Sequence, residues 1–207
     1  MLRLTRASAL CHRGVWGRVL LLLLLCVTGC ATSHGVRDLA GGLRVHTFRR
    51  DHANAHVVVQ GQNLFLFDAG LAENGERLER DLRAAGLEPA RLRAIILSHG
   101  HADHAGGALH FQRRFHTPIV VGRGDTGMLA RGRNDPLCPV GVIARARFKG
   151  DQGARYDVTT ADVLVDQPTP LQGLTGINGT LWPLPGHTPG SLVVDLGEAA
   201  LVGDLFR

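Results

Sequence analysis

The sequence of 207 residues is poor in cysteine and contains no apolar run long enough to span a membrane. Its N-terminal apolar run covers residues 19–27, whereas a membrane-spanning helix needs about 20 residues. Three of the four cysteines lie within the first 30 residues. The fourth, Cys138, has no partner for a disulfide in the remaining chain. We therefore expect the folded part to be stabilised by its apolar core or by a bound metal.

The sequence also lacks a sustained excess of charge. Its formal net charge of +5 would suggest nucleic-acid binding. However, residues 1–29 hold four arginines and no acid, and residues 30–207 hold 19 basic and 18 acidic groups. A nearly neutral domain offers no basic surface for phosphates, which argues against a nucleic-acid partner. Hydrophobic residues at 44% and charged residues at 20% exclude a disordered, collagen-like or coiled-coil protein.

The N-terminal residues 1–29 predict a lipoprotein signal peptide. Arginines precede the short apolar run, as they do in an export signal. The run ends in Val27-Thr28-Gly29-Cys30, which resembles the lipobox of bacterial lipoproteins, where the cysteine is lipidated and becomes the first mature residue. The resemblance implies a lipidated Cys30 that anchors the protein to the membrane in the bacterial cell envelope, by default on the periplasmic side of the outer membrane. An ordinary secretory signal with an incidental cysteine is the alternative.

The rest of the chain predicts a tether over residues 30–42 and one α/β domain over 43–207. Short β-rich runs predict strands at 43–49, 56–60, 63–67, 93–97, 118–121, 180–184, 191–196 and 199–202. Helices are predicted over 73–85 and from His104 to Phe111. Residues 123–172 are rich in Gly, Arg and Asp, and we expect a long insertion or lid that contacts the substrate, including Tyr156. Strands at both ends with helices between them predict a layered α/β fold.

Three histidines and an aspartate lie within six residues, directly after the predicted apolar strand that ends at Leu97. Histidines at positions i and i+2 of an extended backbone point the same way, so His99 and His101 can bind one cation. Asp103 and His104 fall where the chain turns into a helix and can project toward an adjacent position. Neutral imidazoles and a carboxylate are typical zinc ligands. The cluster therefore predicts a metal site.

This His-x-His-x-Asp-His pattern after an apolar strand resembles the signature of the metallo-β-lactamase superfamily. Three further segments resemble motifs of that family in the same order, and they are Asp68-Ala69-Gly70, the sequence PGHTPGS at 185–191, and Gly203-Asp204-Leu205. The resemblance covers residues 43–207. It implies the four-layer αβ/βα sandwich of the superfamily, with a C-terminal half that is incomplete in this chain.

The resemblance also implies the metal ligands. His99, His101 and His187 would bind a first ion. Asp103 and His104 would bind a second ion, and Asp204 would bridge both. Asp103 would also act as the catalytic residue that orients the attacking hydroxide and accepts its proton. Asp68 is expected to hold the backbone or a ligand in place rather than to bind metal. Zinc is the implied cofactor, as one or two ions, with iron or manganese as alternatives.

The implied activity is a zinc-dependent hydrolase in which a metal-activated hydroxide attacks an ester, thioester, lactone or amide-type bond of a small molecule. An aspartate at 204, where some β-lactamases have cysteine, favours thioesterase- and lactonase-like members. A β-lactamase or an iron-dependent dioxygenase of the same fold stays open. The sequence ends three residues after Asp204, before the family's last ligand histidine. We therefore expect this form to lack a full second metal site, and a truncated metal-binding lipoprotein without activity is the alternative.

Overall fold

The computed structural model describes residues 33–138 and 141–206. A larger sheet contains strands β1 to β7 in that order, and they are Ser33–Asp38, Leu43–Arg50, Ala53–Gln60, Asn63–Phe67, Leu92–Ile96, Ile119–Gly122 and Val163–Val165. Strands β1 to β4 pair antiparallel, and β4 to β7 pair parallel. A smaller antiparallel sheet contains β8 to β11, and they are Thr169–Pro170, Thr180–Pro183, Leu192–Asp195 and Ala200–Leu201.

The described helices connect these strands. They are α1 to α6, with the bounds Gly75–Ala84, Ala102–Ala105, Ala108–Phe115, Thr126–Arg131, Val142–Gly153 and Leu171–Thr175. Single 3-10 turns lie at Ala40–Gly42, Ala72–Asn74, Pro89–Arg91 and Arg123–Asp125. None of these helices of residues 33–138 and 141–206 is long and apolar enough to cross a bilayer.

Alternating side chains of the larger sheet supply two apolar cores. On one face, Leu66 of β4 packs with Leu82 of α1 and Phe111 of α3. On the other face, Phe65 and Phe67 pack with apolar residues of the smaller sheet. Because β4 is buried on both faces, its sequence is a continuous apolar run rather than an alternating one. Helices, the larger sheet and the smaller sheet form a mixed α/β sandwich, as predicted.

The segment predicted as a tether is only partly irregular. Residues 33–38 form β1, which pairs antiparallel with β2, and all six residues are exposed. Small, polar composition suggested a tether because it carries no alternation of apolar residues. The strand instead forms by backbone pairing with the edge of β2, which needs no apolar side chain. The predicted signal peptide and Cys30 lie outside the described residues.

The segment 123–172, predicted as an insertion or lid, contributes to both sheets. Its β7 pairs in parallel with β6, and its β8 pairs with β9. Tyr156 is buried rather than placed to contact a substrate, and its hydroxyl donates a hydrogen bond to the carbonyl of Gly100 at 2.7 Å. The polar composition of this segment suggested exposure, but β7 belongs to the larger sheet and Tyr156 is hydrogen bonded to the loop after β5.

The predicted strands are present, with ends that differ from the prediction by at most three residues. Their arrangement places three loops at one edge of the larger sheet. Because β4, β5 and β6 are parallel neighbours, the segments after Phe67, Ile96 and Gly122 all begin at the same edge. Ligands bind at this carboxyl edge in open parallel sheets. The sheet topology therefore selects this edge as the place for a functional site.

Candidate metal centre

Three histidines converge at the carboxyl edge of the larger sheet. His99 and His101 lie in the loop between β5 and α2, and His187 lies in the loop between β9 and β10. The Nδ1 atom of His101 is 3.1 Å from Nε2 of His99 and 3.1 Å from Nε2 of His187. His99 and His101 are buried, and the side chain of His187 is 26% exposed. One side of the cluster is therefore open to solvent.

The spacing of these nitrogens matches the requirements of zinc. Tetrahedral zinc with Zn–N distances of about 2.0–2.1 Å separates its nitrogen ligands by about 3.3 Å. The ligand atoms of His99, His101 and His187 all lie within 4.8 Å of one another. Three imidazoles with one open position are also the ligand set of many catalytic zinc sites. The residues present therefore suit a catalytic metal ion.

A second group lies beside the first. The ligand atoms of His99, His104 and Asp204 also lie within 4.8 Å of one another. Nε2 of His104 is 3.6 Å from Oδ1 of Asp204, and Oδ2 of Asp204 is 3.9 Å from Nε2 of His187. The carboxylate of Asp204 therefore lies between the two groups, where a bridging ligand would be placed.

Asp103 lies at the margin of the second group. Its Oδ2 is 3.6 Å from Nε2 of His104, and its side chain is 20% exposed. The structure thus brings all six predicted ligand residues to one edge of the sheet. Asp103 alone belongs to neither of the two groups of three.

Asp68 accepts hydrogen bonds from Ser98, at the start of the loop that carries His99 and His101, and from His104. Its carboxylate accepts hydrogen bonds from the backbone N–H of Ser98 at 2.7 Å and from the Ser98 hydroxyl at 2.8 Å. It also accepts a hydrogen bond from Nδ1 of His104 at 2.8 Å. With the proton of His104 fixed on Nδ1, Nε2 faces Asp103 and Asp204 and can bind a metal. The structure therefore gives Asp68 a supporting position and no position among the ligand atoms.

Ser98 is a supporting residue that the sequence motif did not indicate. Its hydroxyl lies 2.9 Å from Nδ1 of His99, on the ring side opposite to the nitrogen that faces His101. A hydrogen bond from Nδ1 to this hydroxyl leaves Nε2 of His99 unprotonated for a metal. A serine directly before the first ligand histidine gives no such signal in sequence, because serine is common in loops.

The surroundings shift the pKa values of His101 and His104 in opposite directions. Burial lowers the pKa of His101, and the adjacent His187 lowers it further, to about 4. Burial also lowers the pKa of His104, but the charge and hydrogen bond of Asp68, with Asp103 and Asp204, outweigh it and raise it to about 9. His101 is therefore neutral at pH 7 and available to a metal, whereas a metal at His104 would have to displace a proton.

The other histidines of residues 33–138 and 141–206 belong to neither of these two groups. His46 and His56 belong to the strands β2 and β3, and His110 of α3 is hydrogen bonded to Glu79 at 2.7 Å. Such positions are compatible with the surface or packing roles expected from their lack of motif spacing. Cys138 is exposed and free.

Three further residues of this edge hold the histidine loop in a way that the sequence analysis did not predict. Asp125 accepts hydrogen bonds from the backbone N–H of Gly100, Asn134 accepts one from the N–H of Ala102, and Tyr156 donates one to the carbonyl of Gly100. All three come from the segment 123–172. Of the three, only Asp125 could have been identified from the sequence. It closely follows an apolar strand that a parallel topology would place beside β5.

Comparisons with known proteins agree with this site. A family model described as the metallo-beta-lactamase superfamily matches residues 48–207. The chain is similar to YybB, a probable metallo-hydrolase of Bacillus subtilis, with 26% identity over 152 residues that cover 72% of this chain and 60% of the relative. It is also similar to a hydroxyacylglutathione hydrolase of Anaeromyxobacter dehalogenans, with 27% identity over 137 residues that cover 66% of this chain and 41% of the relative.

Solved structures share the fold. A β-lactamase from Chitinophaga pinensis superposes with a TM-score of 0.63 at 21% identity, covering 81% of this chain and 58% of the other. At this identity the likeness shows the fold alone. The chain spans 60% or less of the length of the relatives and the structure named here.

Proposed function

Because the chain belongs to the metallo-β-lactamase superfamily, we propose that it is a metal-dependent hydrolase whose metal centre is built on His99, His101 and His187. The observation that carries this proposal is the convergence of three imidazole nitrogens at spacings of 3.1 Å, in a cluster with one solvent-exposed side. A purely structural cluster would have no need of an open position.

The metal supplies Lewis acidity when it is bound, since a divalent cation lowers the pKa of water and stabilises negative charge on a substrate oxygen. The protein supplies positioning and proton transfer. Oδ2 of Asp103 lies at the partly exposed margin of the site, where it can accept the proton of the attacking water. The same carboxylate would orient that water toward the substrate, while the carboxylate of Asp204 lies between the two histidine groups, where it would hold the metal.

We propose zinc as the metal and an acyl compound as the substrate. Three histidines suit zinc better than magnesium or calcium, which prefer oxygen ligands. A relative named as a hydroxyacylglutathione hydrolase supports an acyl substrate, so thioesters, esters and lactones are the first compounds to test. A nearly neutral charge over residues 30–207 is compatible with a small molecule as the substrate.

The test is hydrolysis by the zinc-loaded protein of a panel that contains a thioester, a lactone, a β-lactam and a phosphodiester. We expect turnover of an acyl member, loss of at least about 100-fold in His101→Ala, and no loss in the control His52→Ala, which removes an exposed histidine outside the site. Changing a supporting partner of a metal ligand commonly costs about 10–100-fold in activity, and loss of the ligand itself should cost at least the upper end of that range. Equal turnover in His101→Ala and in His52→Ala would refute the assignment of the site.

We further propose that the protein is a lipid-anchored lipoprotein of the bacterial cell envelope. Support comes from the arginines before the apolar run and from the sequence Val27-Thr28-Gly29-Cys30. Metabolic labelling with a fatty acid tests this proposal. We expect label in the natural sequence and in the control Cys26→Ala, and none in Cys30→Ala. Equal labelling of Cys30→Ala would rule out lipidation at this cysteine.

A further inference from the structure

One buried carboxylate joins the two loops that carry the three converging histidines. Oδ2 of Asp125 accepts hydrogen bonds from the N–H of Gly100 at 2.8 Å and from the hydroxyl of Thr188 at 2.7 Å. Oδ1 of Asp125 accepts a hydrogen bond from the N–H of Gly190 at 2.8 Å. Gly100 lies between His99 and His101, and Thr188 directly follows His187. One side chain therefore contacts the backbone or the neighbour of every ligand in the first group.

The packing around Asp125 leaves little room for another arrangement. Its relative exposure is 0%. A Cβ atom on Gly190 would lie 2.6 Å from Cγ of Asp125, and one on Gly100 would lie 3.2 Å from its Cβ. Both loops therefore approach this side chain as closely as glycine allows. The distances between Asp125 and the two loops are fixed by contact as well as by hydrogen bonds.

The peptide of Gly100 is held on its other side as well. The Tyr156 hydroxyl donates a hydrogen bond to the Gly100 carbonyl at 2.7 Å, while the Gly100 N–H donates to Asp125. Because both the N–H and the carbonyl of Gly100 are hydrogen bonded, the backbone between His99 and His101 has little freedom to rotate. This limits the orientations that the two imidazoles can take. Asp125 therefore connects loop 186–190 to the loop that carries His99 and His101, and the N–H of the nearby Leu192 donates a hydrogen bond to the carbonyl of Ser98 at 2.7 Å.

We propose that Asp125 is a positioning residue of the metal centre, which sets the separation between His187 and the pair His99 and His101. This inference rests on the proposed function, because it presupposes that the three histidines bind a metal. Supporting residues around metal ligands commonly change metal affinity by about 10–100-fold when they are altered. The hydrogen bonds of Asp125 go to Gly100, Thr188 and Gly190, so its effect passes through the two loops.

The test measures zinc affinity by competition with a chelator, and the visible absorption of the Co²⁺-loaded protein, in the natural sequence and in Asp125→Asn. An asparagine of equal size places an NH₂ group against an N–H donor and removes one of the three hydrogen bonds. We expect zinc affinity to fall by about 10–100-fold. The Co²⁺ bands should also shift or weaken, because the three nitrogens no longer meet at one point.

Glu79→Gln is the matched control. Glu79 is also a buried carboxylate, with hydrogen bonds to His110, Arg83 and Arg114 between α1 and α3. We expect this variant to unfold at a lower urea concentration yet to bind zinc as the natural sequence does. If Asp125→Asn loses stability to a similar extent and keeps its zinc affinity and Co²⁺ spectrum, Asp125 is only a structural residue and the inference is wrong.

A second pair of variants serves if Asp125→Asn does not fold. Thr188→Val removes the hydroxyl that donates to Asp125 and keeps the bulk, while Thr188→Ser keeps the hydroxyl. We expect weakened zinc binding in Thr188→Val and restored binding in Thr188→Ser, and equal affinities would overturn the inference. Failure of the natural sequence to bind Co²⁺ or zinc would overturn the proposed function and this inference together, whereas unchanged binding in the variants overturns the inference alone.

Discussion

At the scale of single residues, two histidines that are three positions apart, His101 before α2 and His104 within it, differ in charge because their surroundings differ. His101 is buried and also faces His187, so its pKa falls to about 4. His104 donates to the Asp68 carboxylate and faces Asp103 and Asp204, so its pKa rises to about 9 despite its burial. The first arrangement prepares a ligand, and the second places a proton where a cation would bind.

The His104 shift predicts how the stability of the metal-free protein depends on pH. The folded pKa of about 9 lies above the unfolded value of 6.5, so this stabilisation is complete below pH 6.5 and is lost as the pH rises through 9. The difference corresponds to about 3 kcal/mol. Urea unfolding in the presence of a chelator at pH 6.5, 7.5 and 9 should show this decline in the free energy of unfolding.

Two variants separate this effect from general titration. Asp68→Asn removes the negative charge beside His104 and should flatten the decline between pH 6.5 and 9. Asp157→Asn removes an exposed carboxylate and should leave the decline unchanged. A decline of the same size in Asp68→Asn would mean that Asp68 is not its origin.

At the scale of elements, the end of β6 and the loop 186–190 cross in direct backbone contact. A Cβ atom on Gly122 would lie 2.0 Å from the carbonyl oxygen of Gly190. Neither backbone can move aside as a flexible side chain can, because the N–H of Gly190 is held by Asp125. This contact fixes the distance between the larger sheet and the loop that carries His187.

Gly122→Ala is therefore expected to lower the free energy of unfolding by about 1–3 kcal/mol, the usual cost of overpacking, and to weaken zinc binding by displacing His187. Gly150→Ala is the matched control, because Gly150 lies within α5 and a Cβ there has no atom within 4 Å. That change should stabilise the helix by about 0.5–1 kcal/mol. Urea unfolding measures the change in stability, and zinc titration measures the change in affinity. If Gly122→Ala changed neither, the two backbones could move apart to accept the added Cβ atom.

The sequence predicted those elements whose pattern is local. The apolar runs around β4 and β5 and the amphipathic helix α1 were predicted because their periodicity reflects their burial. Strand β1 was missed because it forms through pairing with β2 and has no buried side chain. The support given by Asp125 and Tyr156 was missed because it depends on which segments lie beside the histidine loop, and a lone aspartate or tyrosine carries no sign of that.

At the scale of the whole molecule, the metal centre connects parts of the chain that are distant in sequence. His101 and His187 are separated by 86 positions, and they belong to loops of the two different sheets. A cation that binds both is therefore a cross-link present only in the folded state. Binding of this kind raises the free energy of unfolding by mass action.

Zinc should accordingly stabilise the protein, by about 4 kcal/mol when its free concentration is 1,000 times the Kd. A chelator should remove this gain, and His187→Ala should abolish it by taking one of the three ligands away. Magnesium is the control ion, because it prefers oxygen ligands and should leave the urea midpoint unchanged. Equal stabilisation of the natural sequence and of His187→Ala by zinc would place the stabilising ion elsewhere.

X-ray absorption spectroscopy of the protein loaded with one equivalent of zinc tests the central claim most directly. We predict three imidazole nitrogens at about 2.0–2.1 Å from the metal, from His99, His101 and His187, and a fourth light ligand at the open position. In His187→Ala, the scattering from imidazole rings around the metal should correspond to two rings instead of three. A sulfur neighbour at about 2.3 Å, which Cys138 could supply, or a shell of oxygens without imidazole would contradict the account.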